Sequence, residues 1–157
     1  MRTFAIAVSL TCALLAVGCG EEESPPPQRS PTVESLAALC DAALVDIEAL
    51  GLPAEVGVEV VKPWAARGTR LARDIGRLAG GTAEEQTQLE ALSGELKEYY
   101  AGLLLGYTIY KKTKSSELYA ASLKRASTFL VSAEKRATAL GAPECATRPF
   151  ADYVPSS

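Results

Sequence analysis

The spacing of apolar residues most constrains the fold, because they recur at alternating steps of three and four from residue 32 onward. This spacing puts apolar side chains on one face of a helix. Four such stripes cover residues 33–50, 61–78, 89–110 and 119–140. Short connections join them, which favours antiparallel neighbours. The sequence therefore predicts an all-α fold, an up-down-up-down four-helix bundle over residues 32–145.

Residues that favour helix ends separate the stripes. Gly51, Gly80-Gly81 and Gly141-Ala142-Pro143 stand where the first, second and fourth helices are expected to stop. Thr82 followed three residues later by Glu85 has the sequence of a capping box, which indicates the start of the third helix.

The segment before the second stripe fits the helical pattern poorly. The valines at positions 56, 58 and 60 alternate like a strand, and Pro63 would remove a hydrogen bond from a helix that ran through it. We predict that the second helix begins near Pro63, which is acceptable as its first residue. A longer, kinked helix is the alternative.

The first 31 residues differ in composition from the rest. Arg2 precedes an uncharged apolar run, 4–17, which ends beside the small residue Gly18. This is the pattern of an export signal, and the run is too short for a membrane-spanning helix. Residues 20–31 contain four prolines and no large apolar side chain, so they predict an extended tether.

The end of the apolar run resembles the lipobox of bacterial lipoproteins. Gly18 and Cys19 match its two most restrictive positions, whereas Ala16 stands where leucine is usual. The resemblance implies that residues 1–18 are a signal peptide that is removed. Cys19 would then carry lipid such as palmitate, and residues 19–31 would hold an extracytoplasmic domain at the cell membrane or outer membrane. The alternative is a plain secretory signal that leaves Cys19 as a free thiol.

The cysteine count then predicts one disulfide. Four cysteines are encoded. Cys12 would leave with the signal, and the lipobox resemblance implies that Cys19 would carry the lipid. Cys40 and Cys145 remain, and an exported chain favours their oxidation. In an up-down-up-down bundle the first helix begins where the fourth ends, which brings the two residues together. Two separate buried thiols are the alternative; a metal site is disfavoured because neither has a nearby cysteine partner.

Several classes of chemistry are missing from the sequence. It has no histidine, its one methionine is Met1, and no glycine-rich phosphate loop is present. We therefore predict no enzymatic activity, no metal and no cofactor. A net charge of −3 and the predicted export both argue against nucleic acid as a partner.

Two groups of residues are candidate binding surfaces. The arginine stripe recurs every three or four residues along the second helix, and its alternative interpretation is an ordinary solvated face. The tyrosine region lies on the third and fourth helices, and its alternative interpretation is core packing. The arginine stripe consists of Arg67, Arg70, Arg73 and Arg77, and the tyrosine region of Tyr99, Leu105, Tyr107, Tyr110 and Tyr119.

The lipobox, the tether and the closing sequence from Leu140 to Cys145 together resemble small exported helical lipoproteins of high-GC bacteria. Most of these have no known activity. We expect a non-catalytic binding or interaction module at the cell envelope, attached to the membrane by its lipid. Its partner would be an unknown envelope protein. The alternative is a carrier of a lipid or small apolar molecule in a tyrosine-lined cavity between the third and fourth helices. Residues 146–157 are expected to form a C-terminal tail.

Overall fold

The computed structural model describes residues 30–51 and 57–146, which form helices and turns without any strand. The predicted all-α fold is confirmed. The predicted signal peptide, most of the predicted tether and the predicted tail from residue 147 lie outside the described residues. The four helices are α1 Pro31–Glu48, α2 Val61–Ile75, α3 Ala83–Thr113 and α4 Ser116–Ala139, and two 3-10 turns cover Val58–Val60 and Pro143–Ala146.

Contacts at one end of the bundle establish the direction of each helix. The Ser30 hydroxyl, just before α1, donates to Glu85 Oε1 in the first turn of α3 at 3.0 Å. The Thr32 hydroxyl donates to the carbonyl oxygen of Ala79, just after α2, at 3.3 Å. Leu140, just after α4, lines the same surface depression as α1 and α3 residues. The predicted up-down-up-down order is therefore confirmed, and we call this the Ser30 end.

A 3-10 turn closes the bundle between its first and last helices. Helix α3 packs on α2 and on α4. Helix α1 packs mainly on α2 and on the turn Pro143–Ala146, and this turn also packs on α4. The Sγ atoms of Cys40 and Cys145 lie 2.05 Å apart, at disulfide distance, which confirms the predicted pairing. Because the turn occupies the space between α1 and α4, the disulfide attaches α1 to the end of α4.

The chain returns to the bundle after α4 through a glycine-dependent turn. Gly141 has φ 80°, a value that favours glycine. Its amide donates to the carbonyl of Thr138, and the amide of Ala142 donates to the carbonyl of Ala137. These two bonds form a Schellman motif, which directs the following turn onto α1 and α4.

Thr82 and Glu85 form the predicted capping box. The Glu85 amide donates to the Thr82 hydroxyl, and the Thr82 amide donates to the Glu85 carboxylate. Helix α2 differs slightly from the prediction. It begins at Val61, so Pro63 lies in its first turn, where an amide has no acceptor within the helix. It ends at Ile75, before Gly80-Gly81.

The main core draws on all four helices and the second turn, and Ile47, Val60 and Trp64 form a smaller, separate cluster. Helices approach closely where one presents glycine: Gly68 of α2 lies against the ring of Tyr100, and Gly102 of α3 lies against Ala126 of α4. Among the described helices, none combines the length and apolar character of a membrane span.

Candidate functional site

The tyrosine region does not form a single surface. Tyr99 and Tyr119 are buried in the core. The Tyr119 ring meets the partly buried Tyr110 edge to face, with 6.0 Å between ring centres. These rings fill space between helices, as in the core-packing interpretation, and the two depressions between α3 and α4 are lined by other residues.

Tyr107 makes a structural contact with the turn before α2. Its hydroxyl donates to Glu59 Oε2 at 2.5 Å, and Lys111 forms an ion pair with the other carboxylate oxygen. The hydrogen bond from Lys111 and that from Tyr107 lower the pKa of Glu59. Together these groups attach the 3-10 turn Val58–Val60 to the end of α3.

Leu105, by contrast, lies on an exposed groove between α3 and α4. Two adjoining depressions share Leu105, Ser122 and Arg125. The larger, about 480 Å³, extends toward Leu118, and the smaller, about 180 Å³, extends toward Phe129. We call the two together the α3–α4 groove, and its other lining residues are Glu98, Ala101, Gly102, Ile109, Thr113, Ala121 and Ala126.

Three large apolar side chains that line the α3–α4 groove are exposed to solvent. Leu105 is 55% exposed, Leu118 49% and Phe129 36%. Helix α3 has no charged residue between Glu98 and Lys111. Several exposed apolar side chains grouped in one groove make this surface a candidate for binding.

Of this groove, Leu105 on α3 was predicted from the sequence as a binding residue, whereas the lining residues on α4 were not. A signal for the α4 residues was present. Leu118, Ala121, Arg125 and Phe129 recur at steps of three, four and four on a different face of α4 from its core stripe.

Arg125 is the cation at the centre of the groove. It lines both depressions and is exposed. Within the part of the chain that the structure describes, its guanidinium forms no ion pair. In the larger depression Arg125 is the charged lining residue, so a ligand with an anionic group has a favourable contact there, whereas Glu98 also lines the smaller depression.

The arginine stripe is partly balanced by carboxylates. Arg67 pairs with Asp46 of α1 at 3.0 Å. Asp74 lies 3.4 Å from Arg73 and 3.8 Å from Arg77. These contacts interrupt the positive surface and agree with the interpretation of the stripe as a solvated face. Arg70 also lies on α2, where it lines a shallow groove beside α1.

Glu95 is the carboxylate whose surroundings most resemble a site. Its Oε1 accepts hydrogen bonds from Ser132 at 2.7 Å and from Arg136 at 2.8 Å, and its Oε2 accepts one from Arg136 at 3.0 Å. Burial by itself would raise its pKa, but the hydrogen bonds from Arg136 and Ser132 outweigh burial and hold the pKa of Glu95 below its ordinary value. This carboxylate is therefore a structural anion that joins α3 to α4.

We expect Glu95→Gln to lower the free energy of unfolding by about 1 kcal/mol at pH 7, because it removes a charge-assisted pair. A carboxyl with a lowered folded-state pKa stabilises the fold above its unfolded pKa, and this stabilisation is lost as the pH falls through the folded value. The difference between wild type and variant should thus disappear at low pH. Urea unfolding from pH 7 to pH 3 measures it, and a difference that persists unchanged would contradict the prediction.

In the described ranges, no group of three or more acidic or cysteine side chains is placed to hold a metal ion. Comparisons with known protein families, with curated proteins and with solved structures find no match to this chain. Its function must therefore be argued from its own residues, and the α3–α4 groove is the surface best suited to binding.

Proposed function

We propose that this protein is a lipid-anchored lipoprotein whose helical domain lies outside the cytoplasm and acts as a non-catalytic interaction module at the cell envelope. The observation that carries the proposal is the α3–α4 groove, where Leu105, Leu118 and Phe129 keep apolar surface in solvent. These side chains are grouped in one groove rather than scattered singly, and a partner that covers the groove would remove their apolar surface from water.

The position of the groove favours a protein partner over the lipid surface. The tether joins the bundle at Ser30, at the end where α3 begins. Leu105 lies 22 residues after Ala83, which at about 1.5 Å per residue places it about 33 Å farther along α3. A domain anchored through Cys19 would hold the groove away from its own membrane.

The carrier function receives less support. Its cavity was expected among tyrosines, but Tyr99 and Tyr119 pack in the core. The α3–α4 groove is open to solvent along its length, whereas sites for small apolar ligands enclose most of the ligand surface. We therefore propose a macromolecular partner.

Capture experiments test the groove. With full-length tagged protein as bait in detergent-solubilised envelopes, we expect Leu105→Glu to reduce partner capture at least about tenfold, because a buried carboxylate would oppose an apolar contact. Val131→Glu is the matched control, since Val131 is an exposed apolar residue of α4 that does not line the groove.

Equal capture by Leu105→Glu and wild type would exclude the groove. Loss of capture in Arg70→Glu/Arg73→Glu alone would instead assign binding to the arginine stripe. A lipid that co-purifies with wild type and is lost in Leu105→Glu would favour the carrier function.

The anchor is tested separately. We expect Cys19→Ala to abolish incorporation of radiolabelled palmitate and to move the protein out of the membrane fraction, because Cys19 is the proposed site of acylation. Cys12→Ala is the control and should keep the label, since Cys12 lies in the proposed signal peptide. Labelling of the Cys19→Ala variant would contradict the lipoprotein assignment.

A further inference from the structure

We infer that the α3–α4 groove binds helix α1 of a second copy of this chain. The inference rests on the proposed function of the groove as an interaction surface and names its occupant. It begins with the outward face of α1, where Val45 is 66% exposed, the largest exposed fraction among the large apolar side chains. Ala38, Ala42 and Ala49 are also exposed and lie at helical spacing from Val45, so they extend the same face.

This face of α1 is left uncovered by the bundle. The buried residues of α1 lie on its opposite side, where the helix packs on α2 and on the turn that contains Cys145. Within the described ranges, the outward face of α1 and the α3–α4 groove are both exposed apolar surfaces. Helix α1 is held on α2 and on the turn Pro143–Ala146, so it can enter a groove between α3 and α4 only in another copy.

The larger depression of the groove and the outward face of α1 carry opposite charge. The charged residues of α1 are all acidic, and Asp41 and Glu48 lie four residues before and three residues after Val45, on the same side of the helix. Arg125 is the charged residue that lines the larger depression, and the smaller depression adds Glu98 beside it. An acidic residue of α1 opposite Arg125 favours this pairing.

The lengths of the two surfaces are also compatible. The α1 face from Ala38 to Ala49 covers 12 residues, and its two ends lie about 16 Å apart along the helix. The groove extends along α3 from Glu98 to Thr113, 16 residues whose ends lie about 22 Å apart. An apolar helical face in a groove between two helices is a recurring mode of protein recognition.

The contact joins two different surfaces of the chain. It is made twice in a two-fold dimer in which α1 of each copy enters the groove of the other, or once per copy in a ring or open chain of copies. The use of two different surfaces distinguishes the inference from a contact between two grooves.

Two differently tagged full-length copies, co-expressed and extracted in mild detergent, provide the test. We expect wild-type copies to capture each other. Two copies that both carry Val45→Glu, or both Leu105→Glu, should lose capture at least about tenfold. A Val45→Glu copy together with a Leu105→Glu copy should recover it, because one keeps an intact groove and the other an intact α1 face. Val131→Glu in both copies is the control and should have no effect.

The inference is overturned if wild-type copies do not capture each other while all variants show wild-type helical circular dichroism. It is also overturned if Leu105→Glu abolishes capture and Val45→Glu does not, because that result indicates a groove-to-groove contact. If the groove variant loses capture of an envelope protein but copies never capture each other, the proposed function stands and only this inference fails.

Discussion

Replacing Cys40 and Cys145 together by alanine is expected to lower the free energy of unfolding by about 4 kcal/mol. The pair joins residues 105 positions apart, and closing a loop of about 100 residues is worth about 4.7 kcal/mol in the chain-entropy model. The tertiary structure adds a second reason. Helix α1 has α2 and the turn Pro143–Ala146 as its main neighbours, so without the bond only non-covalent contacts hold the turn against α1.

Urea unfolding followed by circular dichroism measures this effect. Reductant should bring the wild-type midpoint close to that of the double variant and leave the variant itself unchanged. The same midpoint for oxidised wild type and for the variant would show that the bond does not stabilise the domain. The result also bears on compartment, because such a bond persists in an oxidising environment outside the cytoplasm.

The second large effect is expected at Gly68. A methyl group at this position would overlap the ring of Tyr100, which is buried between α2 and α3 and has little space to move. Gly68→Ala should therefore cost about 2 to 3 kcal/mol, even though alanine favours the helix by about 1 kcal/mol over glycine.

Gly94→Ala is the matched control. Gly94 lies within α3, but a methyl group there would meet no atom within 4 Å. We expect this variant to be more stable than wild type by up to about 1 kcal/mol, because only the helix propensity changes. Thermal and urea unfolding of both variants give the comparison, and a stabilised Gly68→Ala protein would mean that α2 and α3 are farther apart than described.

These predictions connect stability to the binding surfaces. The α3–α4 groove belongs to the most extensively packed helix pair, in which Gly102 lies against Ala126 and Glu95 pairs with Arg136. The α1 face, by contrast, is held by the packing of α1 on α2 and by the turn to which the disulfide joins it. Different contacts therefore hold the α3–α4 groove and the α1 face in place.

The amino-acid sequence by itself determined the features that arise within a few residues. The 3-4 spacing predicted four helices, and the capping box at Thr82 and the turn at Gly141 were recognisable because their hydrogen bonds join near neighbours. The Cys40–Cys145 pair was also predictable, because the up-down-up-down order brings the start of the first helix and the end of the fourth to the same end of the bundle.

Only the tertiary structure decided which apolar residues are buried and which are exposed. Residues 99–110 are apolar on nearly every side of α3, so spacing could not distinguish Tyr99 from Leu105. The rotation of α3 about its own axis determines which of these side chains face the core. Close contacts at Gly68 and Gly102 fix this rotation, so that Tyr100 is buried and Leu105 lies at the surface. The turn between α1 and α4 and the Glu95–Arg136 pair likewise depend on contacts between residues distant in the chain, which local pattern does not encode.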